Sequence, residues 1–464
     1  MIEAESSAAG TFGDDMIRMP PQPKTVRETG LELALIVELV AKIMYANGKM
    51  HLPVLAGKIR LSINVLRETL GFMLAEQLAE VAGRGDSDLD VSYQLTSHGR
   101  LRAADFLQRC RYAGPAPVTL QAYCDLIARQ SASAMQMAPV SAAHMAAAFG
   151  EDSVDPGVRD LVGAALQSRR SMLLHGPSGS GKSLLARKLG KLQQGCVAVP
   201  YAILAGHDIV LVHDPLVHPA PASQTRQSEE RRCGDTRWTL CQRPVIQVGA
   251  ELSADMLDLR YDSAAGVYRA PPHLMANNGM LIVDDLGRQR LPSADVLNRF
   301  GAPLDTGTDL FTLDGGSKIA VPFDVTLVYA TNLAPQVLLD DTAMRRIAYK
   351  IAIGALSEPH YRALFRRQCR LTRIACDEAV LEHLLCCLHA STGRALLAST
   401  PRDLLERIAD FASFAGAEPR LTVPALEQAW ASLFADRPAG AGAPSQPSIP
   451  FLADVGDPLL ERIS

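Results

Sequence analysis

The sequence predicts an α/β protein built on a parallel sheet, with a small helix-and-strand module before it and an all-helical segment after it. Three observations carry this. From about 151 to 353, short apolar runs (Ser171–His175, Cys196–Tyr201, Met280–Asp284 and Thr326–Ala330) alternate with helical spacing, which suits buried parallel strands. A glycine-rich loop, Gly176 to Ser183, joins one such run to a helix pattern, Ser183–Leu192. After about 354 the period is helical throughout: Ser357–Arg370, Asp377–Ala390, Arg402–Phe414 and Pro424–Ala435.

Residues 1–28 are polar, with a Pro20–Pro23 cluster, and read as a mobile tail. From 29 to 113 the pattern is compact. Leu31–Ala46 has helical spacing and stops at Asn47-Gly48. His51–Ile59 follows, and Ser62 can cap a third helix, Asn64–Gln77. Leu78–Ala82 and Leu89–Leu95 read as two strands around a Gly83–Asp86 turn. Ser97 to about Tyr112 closes the module as a helix. Residues 114–150 read as a helical linker opened by Gly114-Pro115-Ala116-Pro117, with helices Thr119–Arg129 and Ser141–Phe149. The Pro-, Gly- and Ala-rich stretch in 436–464 reads as a second flexible tail.

Composition bounds the function. The 464 residues hold 46 Lys+Arg against 50 Asp+Glu, a formal net charge of −4, with 48% hydrophobic and 21% charged residues. That is globular, and it argues against coating nucleic acid by bulk charge while leaving room for one local basic face. Nine scattered cysteines fit a reduced cytosolic protein better than a disulfide framework. No apolar run approaches a membrane span, and the first residues lack a signal-peptide pattern. A cytoplasmic protein without membrane insertion is expected.

The chemistry sits in two motifs. Gly176-Pro177-Ser178-Gly179-Ser180-Gly181-Lys182-Ser183 fits the whole phosphate-loop pattern, with a strand before it and a helix after it. Glycines let backbone N–H groups converge on phosphates, Lys182 reaches the β- and γ-phosphates, and the Ser183 hydroxyl ligates Mg²⁺. About 100 residues on, Met280-Leu281-Ile282-Val283 ends in Asp284 and Asp285. Asp284 would hold Mg²⁺ through water, and Asp285 would orient or deprotonate the attacking water of ATP hydrolysis.

These residues resemble the AAA+ ATPases, and the likeness spans about 151–435. The strand Thr326–Thr331 ends in Asn332, where such proteins carry the sensor 1 Asn. Ala343–Ile347, with Arg345 and Arg346, resembles the segment bearing the arginine finger, and Arg346 aligns best. Thr400-Pro401-Arg402 resembles the sensor 2 motif at the start of a lid helix. Asp284–Arg288 and the hairpin pattern Phe311–Val321 resemble the MoxR-like branch. One departure matters: Asp285 stands where a Glu is usual, one methylene short, which bears on hydrolysis more than on ATP binding. The module at 29–113 resembles a winged helix-turn-helix domain.

The resemblance implies a P-loop AAA+ core at 151–353, a helical lid at 354–435 and a homo-oligomeric ring, often a hexamer, with each ATP between neighbours. Asn332 would position the water, Arg345 or Arg346 would reach the next subunit's γ-phosphate, and Arg402 would couple nucleotide state to lid angle. Interface salt bridges are the plain alternative for both finger candidates, and a capping or surface role for Arg402.

Other features carry less. His207, His213, His218, Cys233 and Cys241 lie between about 201 and 268, but their spacing matches no zinc pattern. Gln224–Arg232 reads as a solvated loop, Cys386-Cys387 as helix core, and the Met residues near 135–145 as helix packing. Residues 31–112 hold ten Lys/Arg against nine Asp/Glu, and the helix that would read DNA carries Arg67 beside Glu68 and Glu76. A DNA reader shows a clear basic stripe, so an ATP-driven remodeller of a protein target is the leading expectation. A DNA-binding ATPase, or a nucleotide-gated binding module with little turnover, is the alternative.

Overall fold

The computed structural model describes residues 19–85, 90–131, 134, 142–149, 155–193, 195–221 and 234–435. They divide into two compact units, one running to residue 354 and one from 355 onward. The tail from 436, the loop Gln224–Arg232 and most of the Met-rich stretch lie outside the described residues.

The first unit opens with residues expected from sequence to be tail, and 19–28 correct that expectation. Asp235 donates its amide to Pro20 O at 2.7 Å, and Pro21 bridges to Gly234. Helix α1 (Val26–Thr29), capped by Thr25, then buries Val26 and donates the Val26 amide to Glu68 at 3.0 Å. An apolar anchor with paired backbone groups on both sides holds the segment down.

Helix α2 (Leu33–Asn47) is the hub of the module. Ile36, Leu39, Val40 and Ile43 are almost wholly buried, each contributing about 1.5–3 kcal/mol. Gly48, at φ 70°, ends it. Around it stand α3 (Leu52–Ile59), α4 (Ile63–Ala75, capped by Ser62) and α5 (Ser97–Arg109, capped by Thr96). Strands β2 (Ala79–Arg84) and β3 (Val91–Leu95) pair antiparallel, and the short β1 (Met50–His51) joins their far edge, giving the order β1-β3-β2. Gly99 lets α5 cross β2's entry: a Cβ there would lie 1.8 Å from Leu78 O.

The following segment departs from a purely helical linker. Before α6 (Leu120–Arg129), β4 (Val118–Thr119) pairs parallel with β7 (Ala202–Ala205). Helices α7 (Ala142–Phe149) and α8 (Pro156–Ser168, capped by Asp155) come next. The central sheet is all parallel, in the order β10-β13-β16-β5-β17, from β5 (Met172–His175), β10 (Val245–Val248), β13 (Gly279–Val283), β16 (Val325–Thr331) and β17 (Tyr349–Ala352). The run Cys196–Tyr201, expected in this sheet, instead forms β6 (Cys196–Pro200), an antiparallel partner of β9 (Trp238–Gln242). The place beside β13 belongs to β10, whose run is only four residues long. A second, mixed sheet, β11-β12-β8-β7-β4, adds β8 (Asp208–Leu211), β11 (Arg260–Asp262) and β12 (Val267–Arg269). Three short or medium helices, α10 (Pro272–Met275), α11 (Ser293–Thr306) and α12 (Pro335–Leu338), flank the sheet strands in sequence. Hairpin β14 (Thr308–Thr312) and β15 (Lys318–Pro322) follows α11, and α13 (Asp341–Arg346) follows α12.

The second unit has its own core. Helix α14 (Glu358–Thr372), α15 (Glu378–His383), α16 (Thr400–Phe414) and α17 (Val423–Phe434) enclose Tyr361, Phe365, Leu381, Leu404 and Trp430. After α15 the chain widens into a π-helical stretch, Leu384–His389. That stretch corrects the reading of Cys386-Cys387 as core: both are exposed. Leu384 and Leu385, then Leu388 and His389, take the inner face, so the two residues between them turn outward.

Candidate nucleotide-binding site

β5 ends at His175, and six residues separate it from α9 (Lys182–Lys191). The loop between them needs its glycines. Gly176, Gly179 and Gly181 have φ of 148°, 82° and 96°, and a Cβ on Gly176 would lie 2.1 Å from Ile353 O. The Lys182 ammonium is folded back onto this loop, donating to Gly176 O at 2.9 Å, Pro177 O at 2.7 Å and Ser180 Oγ at 3.3 Å. Burial pushes its pKa down, while Asp285 and Asp284 work against that. His175 is also lowered, by burial and then by the Lys182 charge.

Two strands away, Asp284 and Asp285 follow β13. The Ser183 hydroxyl donates to Asp284 Oδ1 at 2.8 Å, closing the gap between loop and acids. The Asp285 amide donates to the same oxygen at 3.0 Å. Asp284 Oδ2 accepts from Gln247 Nε2 at 2.8 Å, and the Asp284 carbonyl accepts from Gln289 Nε2 at 2.7 Å. Neither glutamine belongs to a recognisable motif of the sequence. Gln247 stands on β10, a run of only four residues, and Gln289 is a loop residue with no pattern around it.

β16 runs between β13 and β5, so Asn332, just past its end, reaches the same place. Asn332 Nδ2 donates to Asp285 Oδ1 at 3.4 Å. The turn after Asp284 is tied to β16 twice, by the Leu286 amide on Ala330 O and the Thr331 hydroxyl on Leu286 O, both at 2.7 Å. Asp285 adopts φ 52°, a left-handed backbone that Asp and Asn tolerate better than longer side chains.

The remaining expected residues stand elsewhere. Arg346 pairs with Asp305 at 2.9 Å, whereas Arg345 is exposed and enters no ion pair among the described residues. Arg402, in the second unit, pairs with Asp403 at 3.0 Å and Glu406 at 3.6 Å on its own helix. In the insertion, His213 stacks on His218 at 5.5 Å, and no group of three or more metal-ligating side chains occurs among the described residues.

The donor set at the loop's end is a serine hydroxyl beside a carboxylate. Hard oxygen ligands of this kind suit Mg²⁺, which takes one or two protein oxygens and completes its shell with water and phosphate. Ser183 and Asp284 therefore fit the ion.

The profile of a family described as a domain of unknown function, DUF8689, matches residues 357–432. No curated protein matches the chain. Among solved structures, NtrX from Brucella abortus in complex with ATP is 15% identical, over 64% of this chain and 57% of that one, at a TM-score of 0.37. The RuvB Holliday junction branch migration motor of Thermotoga maritima is 14% identical, over 61% of this chain and 71% of that one, at 0.34. The chain thus spans less than two thirds of the NtrX chain it matches.

Proposed function

We propose that this chain is an AAA+ ATPase of the MoxR-like branch that binds and hydrolyses ATP with Mg²⁺ and uses the cycle to remodel a protein target. The observation that carries the reading is the 2.8 Å bond from Ser183, at the start of the helix after an eight-residue phosphate loop, to Asp284 at the end of β13. A chance glycine-rich turn has no reason to meet an acid 101 residues away. Asn332, between loop and acids, supports it.

In this reading the loop amides and the N-terminus of α9 bind the phosphates. Lys182 leaves its carbonyl acceptors for the β- and γ-phosphate oxygens. Ser183 and Asp284 hold Mg²⁺, which when bound neutralises charge on the phosphates. Gln247 fixes the second oxygen of Asp284. Asn332 holds one oxygen of Asp285, which turns the carboxylate that orients the water and takes its proton. Arg402 answers to the nucleotide from the lid, and residues 29–113 are a winged helix-turn-helix module that recruits the target. A finger acts across a head-to-tail ring contact. Arg345 suits that role better than Arg346, the residue favoured by alignment, because Asp305 already engages Arg346.

Calorimetric titration of ATP with Mg²⁺ tests the site. Lys182→Ala is expected to lose binding, and Asp284→Asn with Asp285→Asn to keep binding while losing turnover. Wild-type affinity in Lys182→Ala would remove the phosphate-loop reading. A second reading, a nucleotide-gated module with little turnover, is favoured by the short acid held at φ 52°. Single-turnover measurement of phosphate release separates the two.

A further inference from the structure

The helix expected to read DNA is tied to other parts of the chain at its N-terminal end. At its start Ser62 donates to Pro23 O at 2.6 Å, Glu68 accepts the Val26 amide, and Thr236 donates to Arg60 O at 2.8 Å. The basic charge of the module lies instead on α5 and the three residues after it. From 97 to 112 the sequence holds Arg100, Arg102, Arg109 and Arg111 against Asp105 alone, with His98 besides. All four arginines are exposed, and none enters an ion pair among the described residues. On α2, the helix packed against α5, Glu38 is taken by buried Lys42 at 2.7 Å.

Two of these guanidinium groups are held in place. Arg102 and Arg109 both lie against the ring of Phe106, at 5.4 and 5.3 Å from its centre. From Arg100 to Arg109 the helix advances about 14 Å, which is about four nucleotide steps of one strand at 3.4 Å each. Arg111 donates its amide to Ala265 O at 2.9 Å, so the strip meets the β11–β12 hairpin, where Arg260 and Tyr261 are exposed.

We propose that the α5 face, and not α4, binds the phosphodiester backbone of a nucleic acid. The charge is all arginine, whose fork matches phosphate oxygens bidentately. It runs lengthwise along the helix, and Leu101 is the one large apolar side chain exposed there, so the face lacks the apolar half of a membrane-surface helix. A contact of this kind positions the chain on the backbone and carries no base sequence.

Fluorescence anisotropy of the full chain with a labelled 20-base-pair duplex, and separately with its single strand, tests this. Binding to either that weakens steeply with salt is expected, and tighter binding of one arm names the source. Arg100→Glu with Arg111→Glu should weaken binding at least tenfold and flatten the log–log salt slope by about 2 on duplex, with thermal unfolding unchanged. Binding to neither arm overturns the proposal. So does binding that survives the double variant, that is lost instead in Arg67→Glu, or that polyglutamate or anionic phospholipid vesicles match in strength.

Discussion

Asp285 occupies a backbone conformation that limits which residue can replace it. At φ 52° an Asn keeps the local hydrogen bonding that makes this region tolerable, whereas an Ala does not. Asp285→Asn is therefore expected to match the wild type in thermal stability and ATP affinity, while turnover falls 10²- to 10⁴-fold, the usual worth of a positioned base. Asp285→Ala should lose turnover as well and also about 1 kcal/mol of stability, read by urea unfolding. Equal turnover in wild type and Asp285→Asn would take the base away from this residue. Gln247 acts one step removed, through Asp284. A hydrogen bond to a charged group is worth about 1.5–3 kcal/mol, so Gln247→Ala should cut turnover roughly tenfold or more. Gln247→Glu, placing a second carboxylate at 2.8 Å reach of Asp284, should lower turnover further and should shift the Mg²⁺ dependence, because it adds a negative charge beside the ion's ligand. A Mg²⁺ titration that is superimposable for both variants and wild type contradicts this placement. For the finger, Arg345→Ala subunits mixed into wild type should poison activity beyond their share. Arg346→Ala loses only a half-exposed pair with Asp305, worth about 0–1 kcal/mol.

At the scale of elements, Arg237 joins three segments of the first unit. It is buried with Asp235, at 2.8 Å, and donates to Thr29 O at 2.9 Å and Pro117 O at 3.1 Å. Removing one partner of a buried pair strands the other, typically at about 3–5 kcal/mol, so Asp235→Ala should shift the urea midpoint strongly while Arg100→Glu shifts it little. A second contact within the first unit titrates. Arg60 lies over Tyr201 at 5.3 Å, Tyr201 meets His213 edge-on, and His213 stacks on His218. Burial, then the neighbouring His218, lowers His213 to about 4, with Asp214 opposing and Arg60 adding. A histidine lowered by folding is neutral in both states at pH 8. Below about 6.5 the unfolded chain takes up a proton that the folded one refuses, so stability falls as pH drops from 6.5 towards 4. His213→Asn should flatten that decline; an unchanged pH profile would show that His213 contributes nothing to it. Elements of this kind also mark where sequence stops informing. The Gly176–Ser183 loop, the acids after β13 and Asn332, which the fold brings together, are legible in the sequence because their residue types and spacing form a pattern. Gln247 is not, because β10 is four residues long and its place beside β13 is a tertiary choice. β6 lies outside the central sheet for the same reason: an apolar run reads alike in a parallel sheet or an antiparallel pair, and tertiary packing decides between them. Cys386 and Cys387 face outward against the sequence pattern because a π-helical turn breaks the 3.6-residue period.

The whole chain carries two tryptophans, one in each compact unit. Trp238 is buried in the first, on β9, and Trp430 is buried in the second, in edge contact with His389 at 4.9 Å. Each unit has its own core, so the two are expected to unfold with separate midpoints. Trp430→Phe leaves fluorescence reporting the first unit, and Trp238→Phe leaves it reporting the second. ATP with Mg²⁺ at 100 times its dissociation constant adds about 2.7 kcal/mol to whatever holds it. Lys182, Ser183, Asp284, Asp285 and Asn332 all belong to the first unit, so the Trp238 transition should rise on adding nucleotide. Arg402 belongs to the second. If it senses the nucleotide, the Trp430 transition rises too, and Arg402→Ala abolishes that second rise while leaving the first. If the Trp430 transition ignores ATP in a chain whose Trp238 transition responds, the sensor 2 role for Arg402 is lost and the phosphate loop stands. If neither responds, the nucleotide site itself is refuted.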